Sequence, residues 1–363
     1  MNPQLRVGLL ALVCTVAIGS ATAQTRTIVT GGAAAAPGAH VGSAGATEGT
    51  AVVLWDQSAT PAAFGFVDQV FSDAATYDTF EVHDISTGGA VWNVTEVTTS
   101  YTQGNGTWSA ATITSASLQV YPKTGTLPSN ATDNPPEYIV PATLVAVGLT
   151  SWDLVADTSG IAELQCIQGD YWIGLTPNTT FALHGQEFHW ATAVIGDISA
   201  YRNPGGAFGL GTLWGPLTDF DPAGTSAPNY DGTILLKGDV LVDTWVDLGG
   251  GLASTHWGVI ATAAGTGISC VGQTVSVSCI GCGPPFGTTN LVIGATVINL
   301  PFKGGVMVPK PDLYFALPTG AAGDVLLTTP WPVGAPAGFV FTMQFWQNEP
   351  PWSASNALEV TAQ

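Results

Sequence analysis

The chain has 363 residues, of which seven are Lys or Arg and 26 are Asp or Glu, so its formal net charge is −19 at pH 7. Nucleic acid and anionic membrane surfaces attract clustered cationic side chains, and this composition excludes both as expected partners. Charged residues make up only 9% of the chain, while 46% of the residues are hydrophobic. This balance predicts packed cores rather than a disordered acidic tail.

The N-terminal segment has the pattern of an export signal followed by a spacer. Arg6 precedes an apolar run over 7–18, and the small residues ATA at 21–23 follow, as in a secretory signal peptide with its cleavage site. The run is too short for a permanent membrane anchor and no later run is longer, so we expect no membrane insertion. We expect residues 1–23 to be removed and the protein to be secreted, either into the medium or to the cell surface. Residues 24–50 are rich in Gly and Ala and predict a flexible spacer.

Short strand patterns dominate from residue 51 onward. Clusters of Gly, Pro, Asn and Asp separate the strand-sized runs, and no window has a sustained helical stripe. The runs are AVVLWDQ, TFEVHDI, AVWNVTEVTTSY, SASLQVY, AELQCIQ, YWIGL, FHWATAVI and GTILLKG, then TVSVSC, NLVIGAT, DLYFALP, DVLLTTPW, FVFTMQFWQ and NALEVTAQ. The pattern predicts an all-β fold of two β-sandwich domains: a jelly-roll-like domain over 51–240 and an immunoglobulin-like domain over 244–363.

Four cysteines remain once Cys14 leaves with the signal peptide. Cysteines in an oxidising compartment are expected to pair, and four of them allow three complete pairings. The segment CVGQTVSVSCIGC favours a local bridge, either Cys270–Cys279 or Cys279–Cys282. Cys166, in the predicted strand AELQCIQ, is expected to be a buried free thiol. A zinc knuckle would need a second closely spaced pair and a thioredoxin-like site a following helix; both patterns are missing, so we predict a structural disulfide.

Several motifs of the second predicted domain resemble, as a set, those of a known group of proteins. WVDLGGGLA, LPFKGGVMVPKPDLYFALPT, PWPVGAPAGFVFTMQFW and SNALEVTA, in that order, resemble a C-terminal domain of uncharacterised secreted bacterial proteins. The cysteine segment departs from that family, which has a plain loop there. YDTFEV, ITSASLQVYP, GDYWIGLTP and RNPGGAFGLGTLW more loosely resemble the β-sandwich domains that precede such C-terminal domains. The resemblance implies a β-rich fold and export, and it implies no reaction.

The segment HGQEFHWATAVIGD carries the strongest candidate for catalysis or transition-metal binding. On a strand, Glu187 and His189 share a face, whereas His184 has the opposite parity. Asp197 follows the same strand. The helical His pair of a zincin and the His-x-His pair of a cupin are both missing. The alternatives are a secreted, metal-supported hydrolase using Glu187 and His189, and a half-buried polar pair beside Trp190.

Two acidic segments are candidates for structural calcium. Asp219, Asp221 and Asp231 lie in the loop DFDPAGTSAPNYDG, where carboxylates and nearby carbonyls suit a hard cation. The EF-hand pattern fails because Tyr230 stands where the bidentate Glu should be. The alternative is a solvated acidic turn. The segment FSDAATYDTFEVHD offers a similar set: Asp73, Asp78, Glu81 and Asp84.

Aromatic residues in the first predicted domain suggest a sugar-binding surface. Trp172, Trp190 and Trp214 are the candidate stacking residues, and core burial is the alternative role for each ring. No serine-hydrolase elbow, phosphate loop or dinucleotide fingerprint occurs. The sequence favours a non-catalytic extracellular or cell-surface module that binds polysaccharide or another surface component. The alternatives are the metal-supported hydrolase and a purely structural surface subunit.

Overall fold

The computed structural model describes ten ranges of the chain, which divides into two compact units between Val240 and Leu241. The predicted signal peptide and spacer lie outside the described residues. The described ranges are 51–58, 65–103, 108–109, 112–129, 138–149, 151–207, 212–220, 230–253, 261–347 and 352–363.

The N-terminal unit consists almost entirely of antiparallel strands. Its strands are β1 (Val52–Asp56), β2 (Gly65–Val67), β3 (Val70–Phe71), β4 (Phe80–Ser86), β5 (Val91–Gln103), β6 (Ser115–Pro122), β7 (Tyr138–Ala146), β8 (Ser151–Asp157), β9 (Asp170–Thr179), β10 (Glu187–Ala193), β11 (Ala200–Arg202), β12 (Gly215–Pro216), β13 (Tyr230–Gly232) and β14 (Leu235–Leu241). Its helical segments are short: the 3-10 turns Ala75–Tyr77, Ala162–Leu164 and Leu217–Phe220, and the α-helix α1 (Phe181–His184).

Hydrogen bonds link these strands into one continuous network. The order along the main path is β1-β14-β5-β8-β7-β6-β9-β4-β11-β12. Strand β10 pairs with β2, β5 and β13, and the short strand β3 pairs with β9 in parallel. The all-β class is thereby confirmed for the described residues.

Strand β4 is buried on both of its faces. Phe80 and Val82 point to one side, where they pack in an apolar cluster with Trp172 and other side chains. The neighbouring positions alternate with them and point to the opposite side. That second face meets β10, which is not a hydrogen-bonded neighbour of β4. The two strands therefore face each other across the interior of the unit.

The segment AELQCIQ is a turn rather than the predicted strand. Ala162–Leu164 form a 3-10 turn, and Cys166 has a φ of 61°, which lies outside the range of regular strands. Only Ile167 makes a β-bridge, with Trp92. The expectation of a free thiol at Cys166 is also wrong, because that cysteine is disulfide-bonded.

The C-terminal unit contains two facing antiparallel sheets and a separate hairpin. Its strands are β15 (Val246–Gly249), β16 (Thr262–Thr266), β17 (Thr274–Ile280), β18 (Thr288–Gly294), β19 (Val297–Phe302), β20 (Gly305–Pro309), β21 (Leu313–Pro318), β22 (Val325–Pro330), β23 (Val340–Gln347) and β24 (Ala357–Thr361). One sheet has the order β15-β24-β23-β18-β21, and the other has the order β16-β17-β22. Side chains from both sheets form a shared apolar core that includes Val277, Leu291 and Phe345.

The hairpin β19–β20 is held against the outer face of the larger sheet by one buried glutamine. Gln344 Nε2 lies 3.1 Å from the carbonyl oxygen of Gly250 and 3.2 Å from that of Val306. It also lies 3.0 Å from the carbonyl oxygen of Ser355. Gln344 Oε1 accepts hydrogen bonds from the N–H of Val308 and from Nε1 of Trp346, which lies on the same strand as Gln344. A fully buried polar side chain needs such partners, and here they connect three chain segments.

A disulfide joins Cys279 and Cys282 at the end of β17, with a Cα–Cα distance of 5.8 Å. This is the second of the two predicted local bridges. Both cysteines are buried and belong to the apolar core of the C-terminal unit. Cys270 is disulfide-bonded as well. Disulfides of this kind are typical of proteins that reside in oxidising compartments.

Within the described ranges, the helices are all too short, or not apolar enough, to span a lipid bilayer.

Candidate functional site

A cluster of ionisable side chains lies in the interior of the N-terminal unit, where β4 faces β10. Glu81 and His83 are two residues apart on β4, so both point to the same side of that strand. His189 points toward them from β10. All three side chains are fully buried, and each offers a ligand atom within 4.8 Å of those of the others.

Glu81 and His189 form the central ion pair of this cluster. His189 Nδ1 lies 3.0 Å from Glu81 Oε2, and its Nε2 donates a hydrogen bond of 2.7 Å to the carbonyl oxygen of Thr233. Burial is the largest single influence and lowers the pKa of His189, but Glu81, Asp68 and the Thr233 carbonyl together outweigh it and the pKa is raised. Burial is likewise the largest single influence on Glu81 and raises its pKa, but His189, His83 and Ser199 together outweigh it and the pKa is lowered. Each partner therefore stabilises the charged form of the other.

His83 is neutral and has one ring nitrogen without a partner. Burial lowers its pKa to about 3, because a charged imidazolium there would lose its hydration. Its Nδ1 lies 3.0 Å from the hydroxyl oxygen of Ser199. Among the described residues, its buried Nε2 has no hydrogen-bond partner.

Ser199 also binds the carboxylate of Asp231. The Asp231 carboxylate accepts hydrogen bonds from the N–H of Ile195 at 2.9 Å and from the N–H of Ser199 at 2.5 Å. It also accepts the Ser199 hydroxyl at 2.9 Å. Burial raises the pKa of Asp231 to about 7, although these three hydrogen bonds favour the ionised form.

Asp68 and Tyr101 complete the cluster. The Tyr101 hydroxyl donates a hydrogen bond of 2.8 Å to Asp68 Oδ2, and the tyrosine ring stacks on His189 with a centroid distance of 5.0 Å. Asp68 Oδ2 lies 3.8 Å from His189 Nδ1. Burial raises the pKa of Asp68 to about 7, more than His189 lowers it.

Gly232 leaves room for the cluster. A Cβ atom at this position would lie 2.5 Å from His189 Cε1, 2.7 Å from Glu81 Oε1 and 2.7 Å from His83 Cε1. Real Cβ atoms essentially never approach other atoms so closely. The three side chains therefore converge on the one point of β13 where the chain has no side chain.

Chemically, this arrangement could hold a metal ion. Two imidazoles and one carboxylate are a common donor set for transition metals. General acid or base chemistry on a substrate requires access from solvent, and Glu81, His83 and His189 are fully buried.

The predicted pair Glu187 and His189 does share one face of β10, and both side chains are buried. Asp197 lies elsewhere: its carboxylate is 2.7 Å from Lys123, which also binds Asp84 at 2.7 Å. The structure thus does not bring Asp197 to the predicted hydrolase pair. His184 belongs to α1, where its Nδ1 accepts a hydrogen bond from the N–H of Thr180.

The predicted calcium loop is not assembled among the described residues. Asp231 is buried and its carboxylate binds main-chain N–H groups, whereas Asp219 is exposed. Asp221 lies outside the described residues. In the second acidic segment, Asp73 binds the N–H groups of Phe181 and Ala182 at the start of α1.

The other members of that segment also have separate roles. Asp78 accepts a hydrogen bond from the N–H of Phe71, and Asp84 pairs with Lys123. Glu81 belongs to the buried cluster, in which two of the three grouped ligands are histidines. Calcium prefers oxygen ligands, so this set favours a transition metal over calcium.

Two of the three predicted sugar-stacking residues are buried. Trp172 and Trp214 pack in the apolar cluster beside β4 and are 0% and 4% exposed. Their ring faces therefore cannot stack on a polysaccharide. Trp190 on β10 is half-buried.

Sequence reasoning missed most of the cluster. Asp68, His83, Tyr101 and Ser199 were not predicted as site residues, and Glu81 was predicted as a calcium ligand. One signal was present: Glu-x-His occurs in both TFEVHDI and QEFHW. Each motif places a carboxylate and an imidazole on one face of a strand.

No model of a known protein family matches the chain, and no curated protein sequence is significantly similar to it.

The buried carboxyls predict that the metal-free protein becomes less stable as the pH rises from 6 to 8. Asp68 and Asp231 have folded-state pKa values of about 7, above their unfolded values, so the stability they contribute below pH 4 is lost as the pH rises through 7. The raised pKa of His189 acts in the same direction. His83 opposes the trend by less than about 1 kcal/mol between pH 6 and 7, because the unfolded imidazole still binds part of a proton there whereas the buried one, with its lowered pKa, does not. We expect a loss of about 2–3 kcal/mol.

Guanidinium unfolding at pH 6, 7 and 8 in the presence of a chelator measures this trend. The variant Asp231→Asn should reduce the difference between pH 6 and pH 8 by about half, because one of the two carboxyls no longer titrates. Stability that is constant or rises with pH in this window would contradict the proposed titration.

Proposed function

We propose that the chain is a secreted, non-catalytic binding module that attaches to neutral polysaccharide at the cell surface or in the extracellular matrix. The observation that supports the proposal is a set of three aromatic rings on one face of the C-terminal unit, two of them exposed and one half-buried. We call this set, Phe302, Tyr314 and Trp352, the aromatic face.

Strand register and ring contacts define the aromatic face. Phe302, at the end of β19, packs its ring edge-on against Trp346 on β23, at a centroid distance of 5.1 Å. Tyr314 on the edge strand β21 is opposite Val292, and Val292 is opposite Gln344. Paired residues point to the same side of a sheet, so Tyr314 shares the face that carries the hairpin.

Lys303 at the hairpin tip extends this surface. Its Nζ lies 3.1 Å from the ring centroid of Trp352 and 5.0 Å from that of Phe302. Phe302 and Tyr314 are 37% and 59% exposed. Aromatic faces that reach solvent offer apolar platforms for the C–H groups of sugar rings, and they bury large area with few rotatable bonds.

A neutral ligand fits the charge of the chain. The formal net charge of −19 repels acidic polymers, while stacking on aromatic rings does not depend on ligand charge. Burial of Glu187 and His189 disfavours the hydrolase alternative, because a substrate would have to reach them through the packed interior.

Retention on insoluble neutral polysaccharides tests the proposal. We expect Trp352→Ala and Phe302→Ala each to weaken retention about 5- to 150-fold, because aromatic stacking contacts contribute roughly 1–3 kcal/mol each. Phe286→Ala is the matched control, since Phe286 is a highly exposed aromatic outside the aromatic face. Circular dichroism should show that all three variants remain folded. Equal loss in the control, or retention unchanged in both test variants, would contradict the proposed binding face.

A further inference from the structure

We propose that Glu81, His83 and His189 bind one transition-metal ion of the Zn²⁺ class in the interior of the N-terminal unit. The site is independent of the proposed polysaccharide-binding face. Its role is structural, because the ion would connect β4 to β10 where no main-chain hydrogen bond joins them.

Hydrogen bonds place the proton of His83 on Nδ1. An ionised Asp231 carboxylate only accepts hydrogen bonds, and three hydrogen bonds favour that form, so the Ser199 hydroxyl donates to Asp231. The single hydroxyl proton of Ser199 is then committed, and its oxygen can only accept from His83 Nδ1. His83 therefore carries its proton on Nδ1. Its buried Nε2 presents a lone pair with no partner among the described residues.

His189 is oriented by a main-chain carbonyl. Its Nε2 lies 2.7 Å from the carbonyl oxygen of Thr233, and a carbonyl only accepts, so Nε2 is protonated. Nδ1 then faces the Glu81 carboxylate, with Asp68 next to it. A metal-bound histidine commonly donates its other ring N–H to a carbonyl or a carboxylate, which fixes the ring. Both histidines here have that outer hydrogen bond, one directly and one through Ser199 and Asp231.

The space and the charge within the cluster also favour a bound cation. The absent side chain of Gly232 is what allows the three groups to converge. Asp68, Glu81 and Asp231 place three carboxyls in the interior, and in the described part of the chain none of them pairs with Lys or Arg. Three buried carboxyls with His189 as their nearest cationic group are costly to ionise, and a divalent ion would supply further positive charge.

The donor set selects the class of ion. Two imidazole nitrogens and one carboxylate oxygen suit Zn²⁺, Co²⁺ and related ions. Calcium and magnesium prefer sites built of oxygen atoms. Asp68 is the nearest further carboxylate, 3.8 Å from His189 Nδ1, and is positioned to orient the site or to complete it.

The test is metal loading of the full chain with its disulfides intact. The chain is unfolded in guanidinium with chelator, then refolded with Zn²⁺, with Co²⁺ or with chelator alone, which gives the metal access to a buried site. We expect one metal per chain after gel filtration, and a melting temperature about 5–10 °C above that of the chelator sample. The Co²⁺ form should show the visible absorption bands of a low-coordinate nitrogen and oxygen site.

Three variants locate the metal. His83→Gln should abolish stoichiometric binding, and Gly232→Ala should do so by filling the space that the ligands share. His184→Gln is the matched control, a buried histidine outside the cluster, and should bind metal normally. X-ray absorption on the unmodified metal-loaded chain gives a readout that does not depend on variants folding. Two imidazoles with oxygen ligands would support the site. Sulfur ligands, only oxygen ligands, retained binding in His83→Gln, or no stoichiometric metal in the unmodified chain would overturn it.

Discussion

Replacing His189 with Gln is expected to lower the free energy of unfolding of the metal-free protein by about 3–5 kcal/mol. The substitution leaves the Glu81 carboxylate in the interior without its cation, 3.0 Å from where the imidazole stood. Glu81→Gln should have a comparable cost, because it leaves His189 without its anion. Breaking one side of a buried pair is more costly than the pair itself contributes, since the remaining charge loses both its partner and its hydration.

The double variant separates the pair interaction from simple loss of packing. Glu81→Gln with His189→Gln removes both charges, so its cost should be smaller than the sum of the two single costs by about 2 kcal/mol or more. Guanidinium unfolding in chelator, followed by tryptophan fluorescence, measures all four proteins.

The chain offers a matched control pair on its surface. Lys237 Nζ lies 2.6 Å from Glu96 Oε1, and both side chains are about a third exposed. An ion pair in contact with water contributes little to stability. The corresponding two single variants and double variant at Glu96 and Lys237 should therefore give an interaction energy below about 1 kcal/mol. Additive costs at Glu81 and His189, or equal couplings in the two cycles, would show that the buried pair has no special energetic role.

Replacing Gln344 with Met is expected to destabilise the C-terminal unit by about 3 kcal/mol. Methionine has a similar length, so packing is largely kept while the amide hydrogen bonds are lost. The carbonyl oxygens of Gly250, Val306 and Ser355 and the N–H of Val308 all lose a partner. Buried main-chain groups left without partners carry the full cost of their lost hydration.

Gln347→Met is the matched control for this prediction, because Gln347 lies on the same strand and accepts one hydrogen bond from Ser353. Gln347→Met should lower the free energy of unfolding by about 1 kcal/mol. Hydrogen exchange should also show faster exchange at the Val308 N–H in Gln344→Met, while the core strand β18 stays protected. Exchange that is unchanged at Val308 would mean that the hairpin is held mainly by its apolar contacts.

Local sequence patterns predicted the strands well where one face is apolar. Alternation in QEFHWATA places Glu187 and His189 on the same side of a strand, and that placement is confirmed by β10. TFEVHDI also alternates, but its polar positions would ordinarily face solvent. Here the opposite layer of the unit covers them, so Glu81 and His83 lie in the interior. Local alternation carries no information about which layer covers a strand.

The rest of the cluster depends on contacts distant in sequence. Ser199 meets His83 across 116 residues, and Gly232 reaches the site because β13 pairs with β10. A single sequence does not show such pairings. The strand predicted for AELQCIQ is wrong for a different reason: its composition is strand-like, yet Ala162–Leu164 form a 3-10 turn and Cys166 has a positive φ.

Native mass spectrometry of the full chain, refolded with its disulfides intact in the presence of Zn²⁺, is the most direct single measurement of the buried site. We expect the folded charge states to carry one zinc per chain, and the unfolded charge states to carry none. Folded protein without zinc, or with zinc retained equally by His83→Gln, would contradict a metal site at Glu81, His83 and His189.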